Sequence, residues 1–417
     1  MLKRFNLKQY HTSIRQEVLA GIVAFFSVSY ILFVNPSILA EAGVPAEYSV
    51  FSTIFVAVIG TFLMGIMANT PLVMAPGMGE NAFFAFTLVA GLGLTWQESL
   101  AAVVVTGALF VVVAFSGVMK LFSESIPKVL KQAITVGIGL FLILIGLENA
   151  GLFIDRSLQW NGIGLAGILL VLLVKRLNIK GGFLVAILLT TVLYWLFNLQ
   201  SFEVVEFNLG NLMGYSELLQ APDYSRVLSF EFWLGVFSLL MLLIFETIGM
   251  LEAFIPEQER ADQGYKVGAV TGLLSGLLGT SPAIPVAESG AGIAEGGRTG
   301  LTAVTVSGLF LLSIVLTPFL SYIPSEAVGP VIIITGATMA LANITKLKTN
   351  HALEWLPLGL IVLLIPLTGS IVEGMAYGFI AYPLVQVVLG KKESTNRILW
   401  IISGLFLLTL ISTFLLS

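Results

Sequence analysis

Seven glutamates, Glu80, Glu98, Glu148, Glu246, Glu252, Glu288 and Glu373, lie in or against apolar stretches long enough to cross a membrane. A carboxylate in hydrocarbon is costly, so its default meaning is a pathway or a binding site. Two chemistries suit it. Its two acceptor oxygens can meet adjacent N–H donors of a neutral ligand. Burial also disfavours the charged form of a carboxyl, so such a group can load a proton on one side and release it on the other. Glu246 and Glu288 stand apart because their Gly-rich surroundings look too broken for ordinary spanning helices. The first reading of these residues is transport.

The elements that must hold them are apolar. Hydrophobic residues make up 57% of the 417 residues and charged residues 11%, in runs such as 101–115, 134–147, 301–320 and 398–416, which is the pattern of an all-α polytopic membrane protein. Lys3, Arg4, Lys8 and Arg15 precede the first span without a short apolar core and cleavage site after them, so no cleaved signal peptide is expected. Cysteine is absent, which excludes disulfides, thiolate catalysis and Cys-ligated metal. The only aspartates are Asp155, Asp223 and Asp262, and the only histidines are His11 and His351, all in loops or the N-terminal segment. Neither paired aspartates nor a Ser/His pair is therefore available within the membrane, and the chain is not expected to be an enzyme or to hold a metal.

Hydropathy places spans near 17–34, 49–68, 72–90, 97–119, 132–149, 162–175, 181–198, 231–253, 266–279, 282–294, 299–320, 328–342, 356–368, 371–389 and 397–416, several too short to cross alone. With the N-terminus in the cytoplasm, 18 of the 20 Lys and Arg fall inside and only Arg156 and Arg226 outside. A repeat runs through these spans. Ile126-Pro127 and a Gly-rich helix are echoed 197 residues later by Ile323-Pro324 and another. Span 1 ends in Asn35-Pro36, and span 8 runs through Gly249 to Pro256. The opening of span 3, Ala75-Pro76-Gly77-Met78-Gly79-Glu80-Asn81, corresponds to that of span 10, Gly279-Thr280-Ser281-Pro282-Ala283-Ile284-Pro285-Val286-Ala287-Glu288. Seven spans separate the two starts, so the second copy is inverted. Inverted repeats meeting at broken segments are the architecture of secondary transporters. Each opening is expected to be extended backbone feeding a half-helix near the midplane, with Asn81 and Glu288 at the two starts and free N–H groups available to a polar ligand.

Four strings carry a family resemblance: Ser29-Tyr30-Ile31-Leu32-Phe33-Val34-Asn35-Pro36, Ala75 to Phe86, Gly137-Ile138-Gly139-Leu140-Phe141 and Glu288 to Gly300. In this order they closely resemble the AzgA-like purine permeases, a branch of the nucleobase/ascorbate transporter superfamily, from the first span to about residue 390. The resemblance implies a seven-plus-seven inverted-repeat fold, about 14 transmembrane segments, with a further C-terminal helix in 391–417. It implies a discontinuous core domain, 1–120 and 231–321, a discontinuous gate domain, 121–198 and 322–390, and an extracytoplasmic connection, 199–230. It also implies proton-coupled uptake of purine nucleobases, of the hypoxanthine/guanine type with adenine in the same class, across the cell membrane by a homodimer surrounded by lipid. No nucleic-acid partner and no cofactor beyond the coupling proton are expected.

Carried over by motif, the purine-binding positions are Asn81, Glu246 and Glu288; Ala287, Phe83, Phe84 and Tyr30 complete the candidate substrate-binding set, the aromatics as stacking surfaces. Glu246 and Glu288 are the proton-coupling candidates, with Glu246 preferred as the carrier. The chain departs from the family in three places. Glu246-Thr247 stands where most relatives read Asp-Thr, Leu243 replaces a second acidic residue, and 282–286 replaces a Thr-rich stretch. An anion transporter on the same fold and a uracil- or xanthine-type permease are the alternative readings. Carboxylates at the site oppose the first, because they repel an anion. Blander roles are expected elsewhere: Glu98 and Glu373 at interfaces, Glu148 and Glu252 at span ends, Glu80 pointing away from Asn81, and Arg298 as a topology signal or on a helix C-terminus. Gly137, Gly139 and Gly336 are expected to let gate helices pack closely and slide.

Overall fold

The computed structural model describes residues 2–117, 119, 125–154, 157–198, 209–349, 351–391 and 395–416. The expected positions Lys120, Asp155, Arg156 and Lys392 lie outside the described residues.

Serine and threonine caps start many of the helices. Ser13 caps α1 (Ile14–Val28), which is followed after a break by α2 (Ile31–Glu41) and α3 (Ala46–Met67). Next come β1 (Met74–Pro76), the short α4 (Met78–Ala82) and a π-helical continuation (Phe83–Gly91). Thr95 and Glu98 form a capping box at the start of α5 (Trp96–Phe115). Three helices follow, α6 (Lys128–Asn149), α7 (Gly162–Arg176) and α8 (Gly182–Asn198). The second half holds α9 (Phe230–Phe254), α10 (Gln258–Leu277), β2 (Ala283–Pro285), α11 (Ser289–Ala294) and α12 (Gly300–Leu312). It closes with α13 (Ser325–Ile344), α14 (Trp355–Thr368), α15 (Ile371–Val388) and α16 (Arg397–Leu416).

Seven helical stretches among the described residues are long and apolar enough to cross a membrane, and four shorter apolar helices accompany them. The chain is a multi-pass membrane protein with the inverted-repeat fold. Its two halves meet where β1 pairs antiparallel with β2, Ala75 opposite Ile284. The two broken spans thus contain strands as well as helices.

Several boundaries differ from the hydropathy reading. The first span breaks at Ser29–Tyr30, where the hydrogen bonds shorten to three-residue turns, and Asn35-Pro36 lies inside α2 rather than closing the span. The tenth span is helical only over Ser289–Ala294, because Pro282 and Pro285 hold the preceding chain extended. α10 begins at Gln258, a polar start that hydropathy cannot see. The eleventh span is α-helical to Leu312 and continues as 3₁₀ turns over Ser313–Tyr322.

Helices α1 to α5 pack chiefly with α9 to α12, whereas α6 to α8 pack with α13 to α15. The main contacts between the groups are α2 with α13, α1 with α8, α4 with α6 and the π-helix with α15. The most extensive pairing is α6 with α13, where Gly139 faces Gly336 and Gly146 faces Gly329. A Cβ on Gly139 would sit 2.6 Å from the Gly336 carbonyl oxygen, so only glycine allows this approach. Replacement Gly139→Leu should therefore destabilise the detergent-purified protein by about 1–3 kcal/mol, read as a lower Tm, while Gly308→Ala, a position with nothing within 4 Å, should leave Tm unchanged.

Candidate functional site

The site is built on backbone that is neither helix nor full sheet. In a membrane every such polar group needs a partner. The β1–β2 ladder satisfies some, extended by Gly77 N–H to Pro282 O at 3.3 Å and Val286 N–H to Val73 O at 3.0 Å. Hydroxyls from neighbouring helices satisfy more. Thr61 Oγ1 bonds both the N–H and the carbonyl of Met74 at 3.0 Å, Ser275 Oγ accepts from Ala283 N at 2.9 Å, and Ser289 Oγ accepts from Val73 N at 2.9 Å. Pro76, Pro282 and Pro285 bring no N–H to satisfy.

From this crossing the candidate residues diverge into two groups. At the α11 side, the Tyr30 hydroxyl donates to Glu288 Oε1 at 2.5 Å. Among the described residues no other side chain hydrogen-bonds this carboxyl. Glu288 is half-buried and its neighbour Ala287 is exposed, so this carboxyl borders open space. Tyr30 is itself buried and set edge-on to Phe183 of α8, 5.3 Å between centroids, so it joins the two helix groups.

At the α4 side, Asn81 is fully buried. Its Oδ1 accepts from Ser281 Oγ at 2.5 Å, and Ser281 also donates to Asn35 Oδ1 at 3.3 Å. Asn35 Nδ2 donates in turn to Thr53 Oγ1 at 2.7 Å and Thr280 Oγ1 at 3.0 Å. Among the described residues Asn81 Nδ2 has no partner. This network ties α2, α3 and both broken segments together. Asn35 was legible only as half of an Asn-Pro pair; a buried amide in an apolar helix was the signal for its role.

Glu246 sits on α9 with its carboxyl over Gly79, where an added Cβ would meet Oε1 at 2.8 Å. Glu80, fully buried, turns its carboxyl to that of Glu246, within mutual hydrogen-bonding range. Along α9 a partly exposed stripe runs from Glu246 through Gly249 and Met250 to Ala253, toward the helix end. Phe83 and Phe84 are both fully buried, in the core rather than at an exposed face. Asn81, Glu246, Glu288, Ala287 and Tyr30 thus surround the strand crossing, with Glu80 beside them.

Other glutamates serve helix ends. Glu98 Oε2 accepts from Thr95 N at 2.8 Å, and Glu373 lies in the first turn of α15 over the Ser370 cap. Glu17, which sequence reasoning missed, is fully buried and accepts from Arg298 N, Thr299 N, Thr302 N and Thr302 Oγ1 at 2.6 to 3.3 Å, capping α12 from α1. An acid at the mouth of a span, with a Thr-Gly helix start elsewhere in the chain, was the available clue. Arg298 Nη1 donates to the carbonyls of Ile293 and Gly297, at the C-terminal end of α11. Arg260 donates to the carbonyls of Asn69 and Arg298 and covers the Tyr10 ring at 4.5 Å.

A family model described as a permease family, that of the xanthine/uracil permeases, matches residues 15–376. The chain belongs to this permease family. The permease is 38% identical over 384 residues to the nucleobase transporter PlAzg2 of Paenibacillus larvae, covering 89% of this chain and 77% of the relative. It is 34% identical to the guanine/hypoxanthine permease PbuO of Bacillus subtilis, over 97% of this chain and 99% of that one, and 31% identical to the adenine permease AdeP of Escherichia coli, over 99% and 96%. Its fold is similar to the transmembrane domain of the cyanobacterial bicarbonate transporter BicA, with a TM-score of 0.64, 15% identity and coverage of 87% and 97%. SLC26A9 is similar at a TM-score of 0.66, with 13% identity and coverage of 90% and 66%. At these identities the two structures speak for the fold alone.

The Glu17 cap gives a prediction independent of transport. Glu17→Ala strands buried N–H donors at the start of α12 and should cost about 1–3 kcal/mol for each donor left unmet, seen as a lower Tm in detergent without a change in ligand affinity at the strand crossing.

Proposed function

We propose that this permease imports purine nucleobases, of the hypoxanthine/guanine type with adenine in the same class, by proton symport across the cell membrane. The observation that carries the reading is the Glu288 carboxyl, fixed through Oε1 by Tyr30 beside the exposed Ala287 at the strand crossing. A carboxylate so held offers an acceptor to the N–H edge of a neutral heterocycle, and Asn81 Nδ2, buried without a partner, is a donor for an acceptor edge. Burying that heterocycle with any polar edge unmatched would cost about 1–3 kcal/mol, so such a site discriminates by hydrogen bonding. The names of the relatives, guanine/hypoxanthine and adenine permeases, agree with this ligand class.

In the proposed cycle the α1–α5 and α9–α12 group is the core that carries the site, and the α6–α8 and α13–α15 group is the gate it moves against. The glycine-lined α6–α13 crossing lets the gate act as a rigid unit. The partly exposed stripe along α9 reads as a crevice open to the side that holds the N-terminus, Arg260 and Arg298. The charge distribution makes that side the cytoplasm. Glu246 exchanges the coupling proton in that crevice. A homodimer is part of the reading, with the core and gate of each protomer complete in itself. The likeness to bicarbonate and anion transporters does not carry over to substrate, because two carboxyls border the crossing and would repel an anion.

The test is uptake of radiolabelled hypoxanthine, guanine, adenine and uracil into proteoliposomes under an imposed inward proton gradient. Concentrative purine uptake that a protonophore abolishes is expected, with no accumulation of uracil; no uptake of any base by folded protein would overturn the reading. Glu288→Gln, which replaces one acceptor oxygen by a donor, should weaken purine binding about 10-fold to 100-fold.

A further inference from the structure

We infer that Glu80 and Glu246 form one proton-binding unit, in which Glu246 is the accessible mouth and Glu80 the buried partner, leaving Glu288 to the ligand. This assignment rests on the proton-coupled reading above and adds to it a residue, Glu80, that lies outside the purine-binding set.

The geometry has three parts. First, the two carboxyls face each other within hydrogen-bonding range, and Glu80 Oε1, Glu80 Oε2 and Glu246 Oε1 are all buried with no side-chain donor among the described residues. Buried acceptors are ordinarily paired, and two ionised carboxylates cannot face each other in a low-dielectric site. One proton held between them, as an O–H on one carboxyl donated to the other, removes the clash of two charges and pairs one oxygen of each group. Second, the backbone is cut away to admit the pair. A Cβ on Gly77 would collide with Glu80 Oε2, and one on Gly79 would stand 2.8 Å from Glu246 Oε1. The two glycines flanking Met78 are therefore the floor of a cradle for two carboxyls. Third, access is graded: Glu80 is fully buried, whereas Glu246 is partly exposed at the head of the stripe that runs to Ala253. A proton enters or leaves through Glu246.

Other charged groups lie away from the pair. α9 packs against α5, α10, β2, α4 and the π-helix, and α4 also against α2 and α6. β2 and the π-helix carry no ionisable residue. On α5, Glu98 is engaged by Thr95 at the first turn; on α2, Glu41 is the last residue. On α10, Glu259, Arg260, Asp262, Tyr265 and Lys266 occupy the first three turns, with Arg260 held by carbonyls. On α6, Lys128 and Lys131 sit in the first turns, Lys131 Nζ 5.8 Å from the Phe245 ring centroid, and Glu148 lies near the other end. α9 itself carries Glu231 in its first turn and Glu252 in its last. Among the described residues no cation is positioned to replace the shared proton.

The substitution Glu80→Gln keeps the shape and removes the second acid. In proteoliposomes with an imposed proton gradient, this variant is expected to retain purine counterflow, which needs binding and core movement but no net proton flux. Gradient-driven accumulation should fall about 10-fold or more, and its dependence on external pH should flatten. The double variant Glu80→Gln/Glu246→Gln should be no worse than either single one, because both remove the same unit. Accumulation by Glu80→Gln with the wild-type pH profile would overturn the assignment. Should Glu80→Gln fail to fold, Glu80→Asp retains the acid one methylene shorter; a shifted pH profile supports the pair and an unchanged one sinks it. If the wild-type protein moves no purine, the transport reading fails separately. Proton uptake by the detergent-solubilised protein, followed with an indicator dye, then decides the pair: a binding step present in wild type and missing in Glu80→Gln supports it, and equal uptake overturns it.

Discussion

The antiparallel crossing of β1 and β2 in the middle of an apolar bundle is the constraint on which everything else here depends. Breaking two helices inside a membrane exposes peptide groups to a medium that cannot solvate them, so each must find a partner within the protein. The crossing does this economically, with backbone paired to backbone, three prolines contributing no donor, and hydroxyls of Thr61, Ser275 and Ser289 taking the remainder. Because these hydroxyls come from α3, α10 and the start of α11, the crossing also fixes how those elements sit. Anything that displaces one strand unsatisfies the other.

Positioning of the chemistry follows from that. The chain leaving β1 turns at once into α4, which places Glu80 and Asn81 on opposite sides of one turn, the first toward α9 and the second toward Ser281. The chain leaving β2 delivers Glu288 to Tyr30 at the break between α1 and α2. Polar groups from the two broken segments and from the helices beside them thus converge at the crossing. The periphery is held differently. Glu17, Arg260 and Arg298 lock one end of the same helix group through charge-assisted bonds to backbone, and Asn69 Oδ1 adds a neutral one, accepting from Gly300 N at 2.9 Å. The α6–α13 pairing is held by glycine-to-backbone contact. Rigid clusters joined by few contacts are what a moving carrier needs.

What the sequence determined by itself was the class, the repeat and the places where helices break. Long apolar runs demand a bilayer, and Pro and Gly in the middle of such runs cannot continue a helix without a cavity or partner, so Ala75 to Asn81 and Pro282 to Glu288 announced themselves. The family followed from motifs at the same places. Carboxylates in the apolar runs also marked out candidates for the chemistry, because a carboxylate in hydrocarbon is costly. Only the tertiary structure decided which of them meet. Glu80 and Asn81 are adjacent in sequence yet serve different neighbours, and Glu80 and Glu246 are 166 positions apart yet face each other. Glu17 looked like the edge of a span and is the cap of another helix. Phe83 and Phe84 were candidate stacking surfaces in a chain whose 29 phenylalanines mostly serve as core or lipid face, and both are fully buried. The physical reason is the same in each case: hydropathy and local propensity record what a residue costs in its medium, whereas the partner that offsets the cost lies on a distant segment whose position only packing sets.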